Sequence, residues 1–172
     1  PDGSAFLWTR STGEGGFQHL HRFPLDDTKP KQITAGAWQI SSISCWDIPH
    51  GQVYYVSTEA SPLERQLDKI TLDGSGKLRL TDTPGTHRIS MAPGCQNYLD
   101  TVSNLSTPPE TTLRSVPQPG VAAAQPTVFR PANRAVLEEF DVRIPETRSF
   151  EITTDKESRS NVQLYGRLIK PP

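Results

Sequence analysis

The stretch that decides the fold is Ser57-Thr58-Glu59-Ala60-Ser61-Pro62-Leu63-Glu64-Arg65, because an altered copy of it returns later in the chain. The copy reads Ser103-Asn104-Leu105-Ser106-Thr107-Pro108-Pro109-Glu110, and its shared residues lie 46 positions later (57 to 103, 62 to 108, 64 to 110). Two shorter repeats have a similar spacing: Ile33-Thr34 and Leu80-Thr81 are 47 residues apart, and Ile40-Ser41 and Ile89-Ser90 are 49 apart. These matches indicate a repeated structural unit.

A unit of about 40–50 residues built from short strands is typical of one four-stranded blade of a β-propeller, whereas helical repeats would show apolar residues three and four apart. The predicted fold class is all-β: a partial β-propeller with about three four-stranded antiparallel blades of a larger propeller of about eight blades. Since a ring needs about four to eight such blades, this chain of 172 residues is expected to be a piece of a longer protein.

Strand-length segments with turn residues between them define the predicted blades. The first unit has strands at Phe6–Thr9, Phe17–Phe23 and Lys31–Thr34, with a hairpin turn at 12–16 and a turn at 1–3. The second unit, residues 38–81, has strands at 38–46, 52–58, 65–72 and 77–81, with a tight turn at Asp73-Gly74-Ser75-Gly76. The third unit has strands at 86–91, 97–103 and 111–116, with a turn at 92–96.

The last part of the chain has a different composition. Residues 117–131 contain four prolines and predict a surface loop or a short helix, with helix confined to residues 117–137. Phe140, Val142 and Ile144 alternate with polar residues and predict a strand, and Phe150 and Ile152 continue this period after Pro145. The predicted domains are residues 1–137, which contain the blades, and residues 138–172, which contain closing strands.

Composition excludes two classes of partner. With 18 basic and 19 acidic residues spread along the chain and a net charge of −1, there is no electrostatic footprint for nucleic acid and no basic amphipathic segment for a membrane surface. No apolar run approaches the length that crosses a bilayer. The opening residues Pro1-Asp2-Gly3-Ser4 predict a turn and not a signal peptide.

Three sets of side chains could carry chemistry. His19 and His21 share a strand face and could bind zinc or copper, but no third ligand lies nearby, so they are interpreted as covering a blade face. Cys45 and Cys95 are interpreted as two small buried thiols, and a disulfide between them stays open. Asn104-Leu105-Ser106 fits a glycosylation acceptor, which matters only in a secreted eukaryotic protein. His50 and His87 receive no role.

The repeated sequence motifs also resemble those of a known family. Thr58 to Arg65, Leu80-Thr81, Pro84-Gly85-Thr86-His87 and Leu105-Ser106-Thr107-Pro108-Pro109 are similar to the propeller domain of dipeptidyl peptidase IV-like serine peptidases, of the prolyl oligopeptidase class. The resemblance runs from Phe6 to Ser115 and again from Phe140 to Pro172. In that family a strand like Tyr165 to Pro172 begins the α/β-hydrolase domain, which follows the propeller. The resemblance therefore implies that residues 1–137 are the C-terminal blades and that residues 138–172 are closing strands and the transition into the hydrolase domain.

The resemblance implies a serine exopeptidase that releases N-terminal dipeptides, often Xaa-Pro, with the propeller capping and gating the active site. The family's triad places its serine on a Gly-x-Ser-x-Gly elbow, which this chain lacks. The nearest string, Gly74-Ser75-Gly76, is predicted to be a hairpin turn. Glu138-Glu139 lie outside the family motif whose paired glutamates bind the substrate amino group, and are predicted to be exposed. No catalytic, cofactor or metal residue is therefore assigned, and the chain alone is expected to be inactive.

The partners expected from the resemblance are a peptide substrate, bound by the complete protein, and the hydrolase domain of the same chain. Bacterial members of the family imply a periplasmic or exported location. Self-association through exposed blade edges is also expected, because an open propeller segment would uncover Trp8, Phe17, Trp38 and Phe140 or residues near them. The alternative function is a non-catalytic propeller that serves as a binding or scaffold module.

Overall fold

A computed structural model describes residues 3–12, 16–26, 28–121, 124–140, 142–153 and 161–169. The predicted turns at 1–3 and 12–16 lie partly outside these residues, and the end of the chain at 170–172 lies wholly outside them. The helix and strands of the described part are β1 Ala5–Thr12, β2 Phe17–Pro24, β3 Lys31–Gln32, β4 Ile40–Asp47, β5 Gln52–Ser57, β6 Gln66–Thr71, β7 Leu78–Arg79, β8 Thr86–Met91, β9 Asn97–Ser103, β10 Glu110–Ser115, β11 Thr127–Arg130, α1 Ala135–Glu139, β12 Glu146–Thr153 and β13 Asn161–Leu168.

The strands form four separate antiparallel sheets in chain order. The first sheet has the order β1-β2-β3, the second β4-β5-β6-β7, the third β8-β9-β10-β11, and β12 pairs with β13 as a two-stranded ribbon. Four antiparallel strands joined in sequence are the structure of one propeller blade. The predicted all-β class is thus confirmed, and the blade predicted at 38–81 corresponds to the second sheet.

The repeated Thr34 and Thr81 close equivalent corners of the first and second sheets. Each threonine follows a two-residue outer strand, and each accepts a backbone N–H from the neighbouring strand: Leu20 N–H donates to Thr34 Oγ1 at 2.9 Å, and Leu67 N–H donates to Thr81 Oγ1 at 2.8 Å. The hydroxyl satisfies a buried amide that would otherwise lack a partner. The spacing of 47 residues read in the sequence therefore reflects one hydrogen-bonding arrangement used twice.

The core consists of two apolar clusters that share the second sheet. Val53 and Tyr55 of β5 face a cluster that includes Leu20 of the first sheet. Tyr54 and Val56 face a second cluster that includes Tyr98 of the third sheet. Because alternate strand residues point to opposite faces, β5 is buried on both sides, and its central residues 53–56 are apolar without interruption.

Two predictions on the C-terminal part are wrong. Residues 117–131 do not form only a loop or helix, because β11 pairs with β10 as the fourth strand of the third sheet, with a register shift at Thr111/Thr112. Phe140 and residues 142–144, for which a strand was also predicted, belong to no strand. α1 extends to Glu139, past the predicted limit of 137, and Val142 N–H then donates to the Leu137 carbonyl at 3.3 Å. Among the described residues after α1, strand pairing begins at Glu146, where β12 pairs with β13.

The interpretation of Cys45 and Cys95 as free thiols is also wrong. The two residues form a disulfide with a Cα–Cα distance of 6.0 Å, within the usual range for such a bond. Cys45 lies in β4, where β-bulges shift the register with β5, and Cys95 lies in the turn between β8 and β9 with a φ of 57°. The bond joins the second sheet to the third.

Trp38 is buried, although it was expected to be exposed in an open propeller segment. Only 8% of its surface is exposed, because its ring stacks on Tyr55 and meets the edge of His19. Trp8 and Phe140 are exposed as expected, at 63% and 67%. Phe17 is half-buried.

Candidate functional site

A cleft of about 520 Å³ opens where the two copies of the repeated stretch meet the ribbon. The β5–β6 loop contributes Leu63 and Glu64, and the β9–β10 loop contributes Asn104, Leu105 and Ser106. These loops lie at the same end of neighbouring sheets because β5 and β9 are equivalent strands that run in the same direction. The connection between β7 and β8 lines the cleft with residues 84–86, and the ribbon lines it with Thr147 and residues 165–167.

The β7–β8 connection is held by hydrogen bonds from several neighbouring segments. Arg65 N–H donates to the Gly85 carbonyl at 3.1 Å, and Gln66 Nε2 donates to the Thr83 carbonyl at 3.0 Å. Asn104 Nδ2 donates to the Pro84 carbonyl at 3.1 Å. Gly85 has a φ of 147°, and a Cβ there would lie 2.6 Å from the Ser103 carbonyl oxygen, so only glycine fits. This wall of the cleft is therefore rigid.

His87, in β8, holds the same connection through buried hydrogen bonds. Its Nε2 lies 2.8 Å from the Thr83 carbonyl and its Nδ1 lies 2.7 Å from Asp100 Oδ1, with both side chains fully buried. A carbonyl and a carboxylate both accept, so both ring nitrogens carry hydrogen and the imidazole is charged. Burial lowers the pKa of His87, but the bonds to Asp100 and Thr83 outweigh it and the pKa lies above its ordinary value. Arg114 Nε lies 3.3 Å from Asp100 Oδ2 and completes the ion cluster.

A buried serine also contacts a carboxylate, but without the histidine that a hydrolase needs. Ser57 Oγ donates to Asp68 Oδ2 at 2.7 Å, and Arg79 Nε donates to Asp68 Oδ1 at 3.2 Å. Burial raises the pKa of Asp68, while the bonds from Ser57 and Arg79 counteract part of that rise. A hydroxyl that donates to a carboxylate held by an arginine is a structural contact, since no imidazole is placed to take its proton.

The remaining sequence candidates are structural as well. Ser75 lies in the turn after β6 and donates to Asp73 Oδ1 at 2.8 Å, so Gly74-Ser75-Gly76 is the predicted hairpin turn and not a nucleophile elbow. His19 uses both ring nitrogens, with Thr34 Oγ1 at 3.2 Å and the Gly36 carbonyl at 3.0 Å, and His21 contacts the His19 carbonyl at 3.0 Å. Neither ring is directed at a shared ligand position.

The remaining features of the described ranges concern metal ligands, the glutamate pair and the length of the helix. No group of three or more His, Cys, Asp or Glu that could hold a metal ion occurs in this part of the chain. Glu138 and Glu139 are exposed on α1, as predicted. None of the helical residues that the structure describes belongs to a helix long and apolar enough to cross a membrane. Sequence reasoning missed the anchoring role of His87, because its partner Asp100 lies 13 residues away on the next strand.

Successive antiparallel blades with a cleft on their loop end define this chain as a β-propeller segment. The family model described as "Dipeptidyl peptidase IV (DPP IV) N-terminal region" matches residues 1–109, and the chain belongs to this family. The match covers the first and second sheets and, in the third, β8 and β9. The resemblance read from the repeated words is thereby confirmed.

Curated relatives of this chain carry the name probable dipeptidyl-aminopeptidase B. The chain is 41% identical over 83 residues to probable dipeptidyl-aminopeptidase B of Aspergillus niger, covering 46% of this chain and 9% of the relative. It is 37% identical over 97 residues to the Aspergillus oryzae protein of that name, covering 54% and 11%. A third relative, from Coccidioides posadasii, is 26% identical over 172 residues, covering 88% and 18%. The chain thus spans less than a fifth of the length of these relatives.

Proposed function

We propose that this chain is part of the propeller of a serine-type dipeptidyl peptidase that releases N-terminal dipeptides, often Xaa-Pro. The observation that carries the proposal is the family match over residues 1–109, together with relatives that are named dipeptidyl-aminopeptidases. The chain contributes no catalytic residue among those described. The serine, aspartate and histidine of the reaction belong to an α/β-hydrolase domain of the complete protein.

The ribbon supports the presence of a domain packed beside the blades. Its register places one set of apolar residues on a single face, each between 40% and 51% exposed: Phe150, Ile152, Val162, Leu164 and Leu168. The opposite face carries polar residues, of which Thr147, Tyr165 and Arg167 line the cleft. A two-stranded ribbon with a bare apolar face is marginally stable alone and needs cover. The hydrolase domain is the partner we propose for that face.

In this arrangement the blades cap the hydrolase site and restrict entry to short peptide ends. The substrate is bound by the complete protein, and the rigid connection between β7 and β8 holds the loop end of the blades in place beside the ribbon. An exported location is part of the proposal. The Cys45–Cys95 disulfide supports an oxidising compartment. Nothing supports the bacterial periplasm in particular, and the relatives reported above are fungal.

The test compares the 172-residue chain with the complete reading frame that contains it, using a dipeptidyl-proline chromogenic substrate. We expect turnover only from the complete protein, because the chain has no nucleophile elbow. A fluorophosphonate probe, which labels activated serines, should likewise label the complete protein alone. Turnover by the isolated chain that is lost in Ser57→Ala or Ser75→Ala would contradict the proposal. A complete frame without a Gly-x-Ser-x-Gly elbow would favour the scaffold function.

A further inference from the structure

The motif Asn104-Leu105-Ser106 has no part in the function proposed above. It is the only Asn-x-Ser/Thr sequence in the 172 residues, since Asn97, Asn133 and Asn161 are followed two positions later by other residues. It lies in the loop between β9 and β10, and the side chains of Asn104 and Ser106 are both exposed. A surface loop in a secreted protein is where such a motif is glycosylated.

The loop holds the asparagine amide in a defined orientation. The backbone N–H and the hydroxyl of Ser106 both donate to Asn104 Oδ1, each at 3.0 Å. Asn104 Nδ2 donates one hydrogen to the Pro84 carbonyl at 3.1 Å. An amide nitrogen has two hydrogens, so one is left for substitution while the bond to Pro84 is kept. The acceptor amide and the serine hydroxyl therefore already lie in contact in the folded loop.

Two observations support an exported location for the motif, which is the part of the proposed function on which this inference rests. The Cys45–Cys95 disulfide is typical of a chain that folds in an oxidising secretory compartment. The relatives come from Aspergillus and Coccidioides, which are eukaryotes with such a compartment. We propose that Asn104 carries an N-linked glycan.

The donor in this reaction is an oligosaccharide linked to a lipid through a diphosphate. Nδ2 of Asn104 forms a bond to the anomeric carbon of the first sugar while the bond from that carbon to the diphosphate oxygen breaks. The lipid diphosphate leaves with the electron pair, and Nδ2 releases one proton. No oxidant or reductant is required.

The folded chain has room for the product. Asn104 lines the cleft of about 520 Å³, a volume in the range of sites that bind small organic molecules. Tyr165 and Arg167 of the ribbon line the same cleft and offer an aromatic surface and hydrogen-bond donors to the sugar nearest the protein. The glycan therefore extends from the loop end of the third sheet past the ribbon, and does not disturb either core cluster.

The experiment expresses the complete 172-residue chain behind a cleavable secretion signal in a yeast, with medium and internal membranes both collected. On a denaturing gel the wild-type chain should migrate above its peptide mass by the mass of one glycan, and it should return to the peptide mass after peptide N-glycosidase treatment. That enzyme converts the modified asparagine to aspartate, so peptide mass spectrometry should find the conversion at Asn104 and not at Asn97. Asn104→Gln and Ser106→Ala should each lose the shift completely.

Matched variants separate the motif from general effects on folding. Ser106→Thr preserves the acceptor sequence and should keep the shift, as should Asn97→Gln, which removes a nearby asparagine outside the motif. An unmodified wild-type chain in both fractions would overturn the proposal, and so would a shift that survives Asn104→Gln. If glycosylated chains were found only as aggregates with non-native disulfides, the claim that the folded cleft accommodates the glycan would be overturned. Peptidase activity plays no part in these readouts, so a complete protein without peptidase activity would leave them unaffected.

Discussion

Opening the Cys45–Cys95 disulfide is expected to destabilise the contact between the second and third sheets. Cys95 is 2% exposed and packs in the cluster formed by Tyr54, Leu67 and Tyr98, with Cys45 against the same cluster. The bond therefore crosslinks the two sheets at the core they share. Removing it frees the unfolded chain while leaving the folded contacts largely in place, so the loss appears mainly as unfolded-state entropy.

The magnitude follows from the length of chain that the bond closes. The two cysteines are 50 residues apart. In the chain-entropy model a loop of about 50 residues corresponds to about 4 kcal/mol near room temperature. With a urea dependence of about 2 kcal/mol per molar, the unfolding midpoint should fall by about 2 M.

Urea unfolding followed by tryptophan fluorescence tests this, since Trp38 and Trp46 belong to the neighbouring cluster. The wild-type chain is measured with and without reductant, beside the double variant Cys45→Ala, Cys95→Ala. The reduced wild type and the double variant should coincide at the lower midpoint, and reductant should not affect the double variant. An unchanged wild-type midpoint after complete reduction would refute the reasoning, as would thiols that react with alkylating agents without reductant.

Three further predictions concern other parts of the fold. The pKa of His87 in the folded chain is raised, so its ion pair with Asp100 stabilises the fold fully at pH values below the unfolded pKa of about 6.5. The free energy of unfolding should therefore decrease as pH rises through the higher pKa of the folded chain. Urea titrations across this range should show that decrease, and Asp100→Asn should flatten it; a stability that rises with pH would contradict the assignment. Thr81→Val should cost about 1–3 kcal/mol by leaving the buried Leu67 N–H without its acceptor, whereas the exposed control Thr83→Val should stay within about 0.5 kcal/mol. Finally, the exposed Trp8, Phe129 and Phe140 should cause self-association, and light scattering over a dilution series should show it; a monomer at every concentration would contradict this expectation.

The sequence alone was sufficient to predict the all-β class, the repeated blades and the family, but not the fourth strand of the third sheet. Blades of equal construction place the same residue types at the same corners. The threonine hydroxyl that accepts the backbone N–H of Leu20 in one sheet and of Leu67 in the next therefore recurs at a fixed spacing. The uninterrupted apolar run of β5 likewise follows from burial on two faces. These features depend on short segments of chain and their immediate neighbours, and can therefore be read without knowing the tertiary structure.

Only the tertiary structure decided the features that depend on which distant segments meet. β11 is a strand because β10 offers it a free edge, whereas no strand pairs with the described residues Phe140, Val142 and Ile144. Cys45 reaches Cys95 because bulges in β4 change its register and the turn after β8 carries Cys95 towards it. The cleft arises because loops of two sheets meet a ribbon that is far away in the chain, and His87 is charged because the fold buries it against Asp100 of the neighbouring strand. Composition and spacing contain no information on these contacts, because their energy comes from burial and pairing in three dimensions.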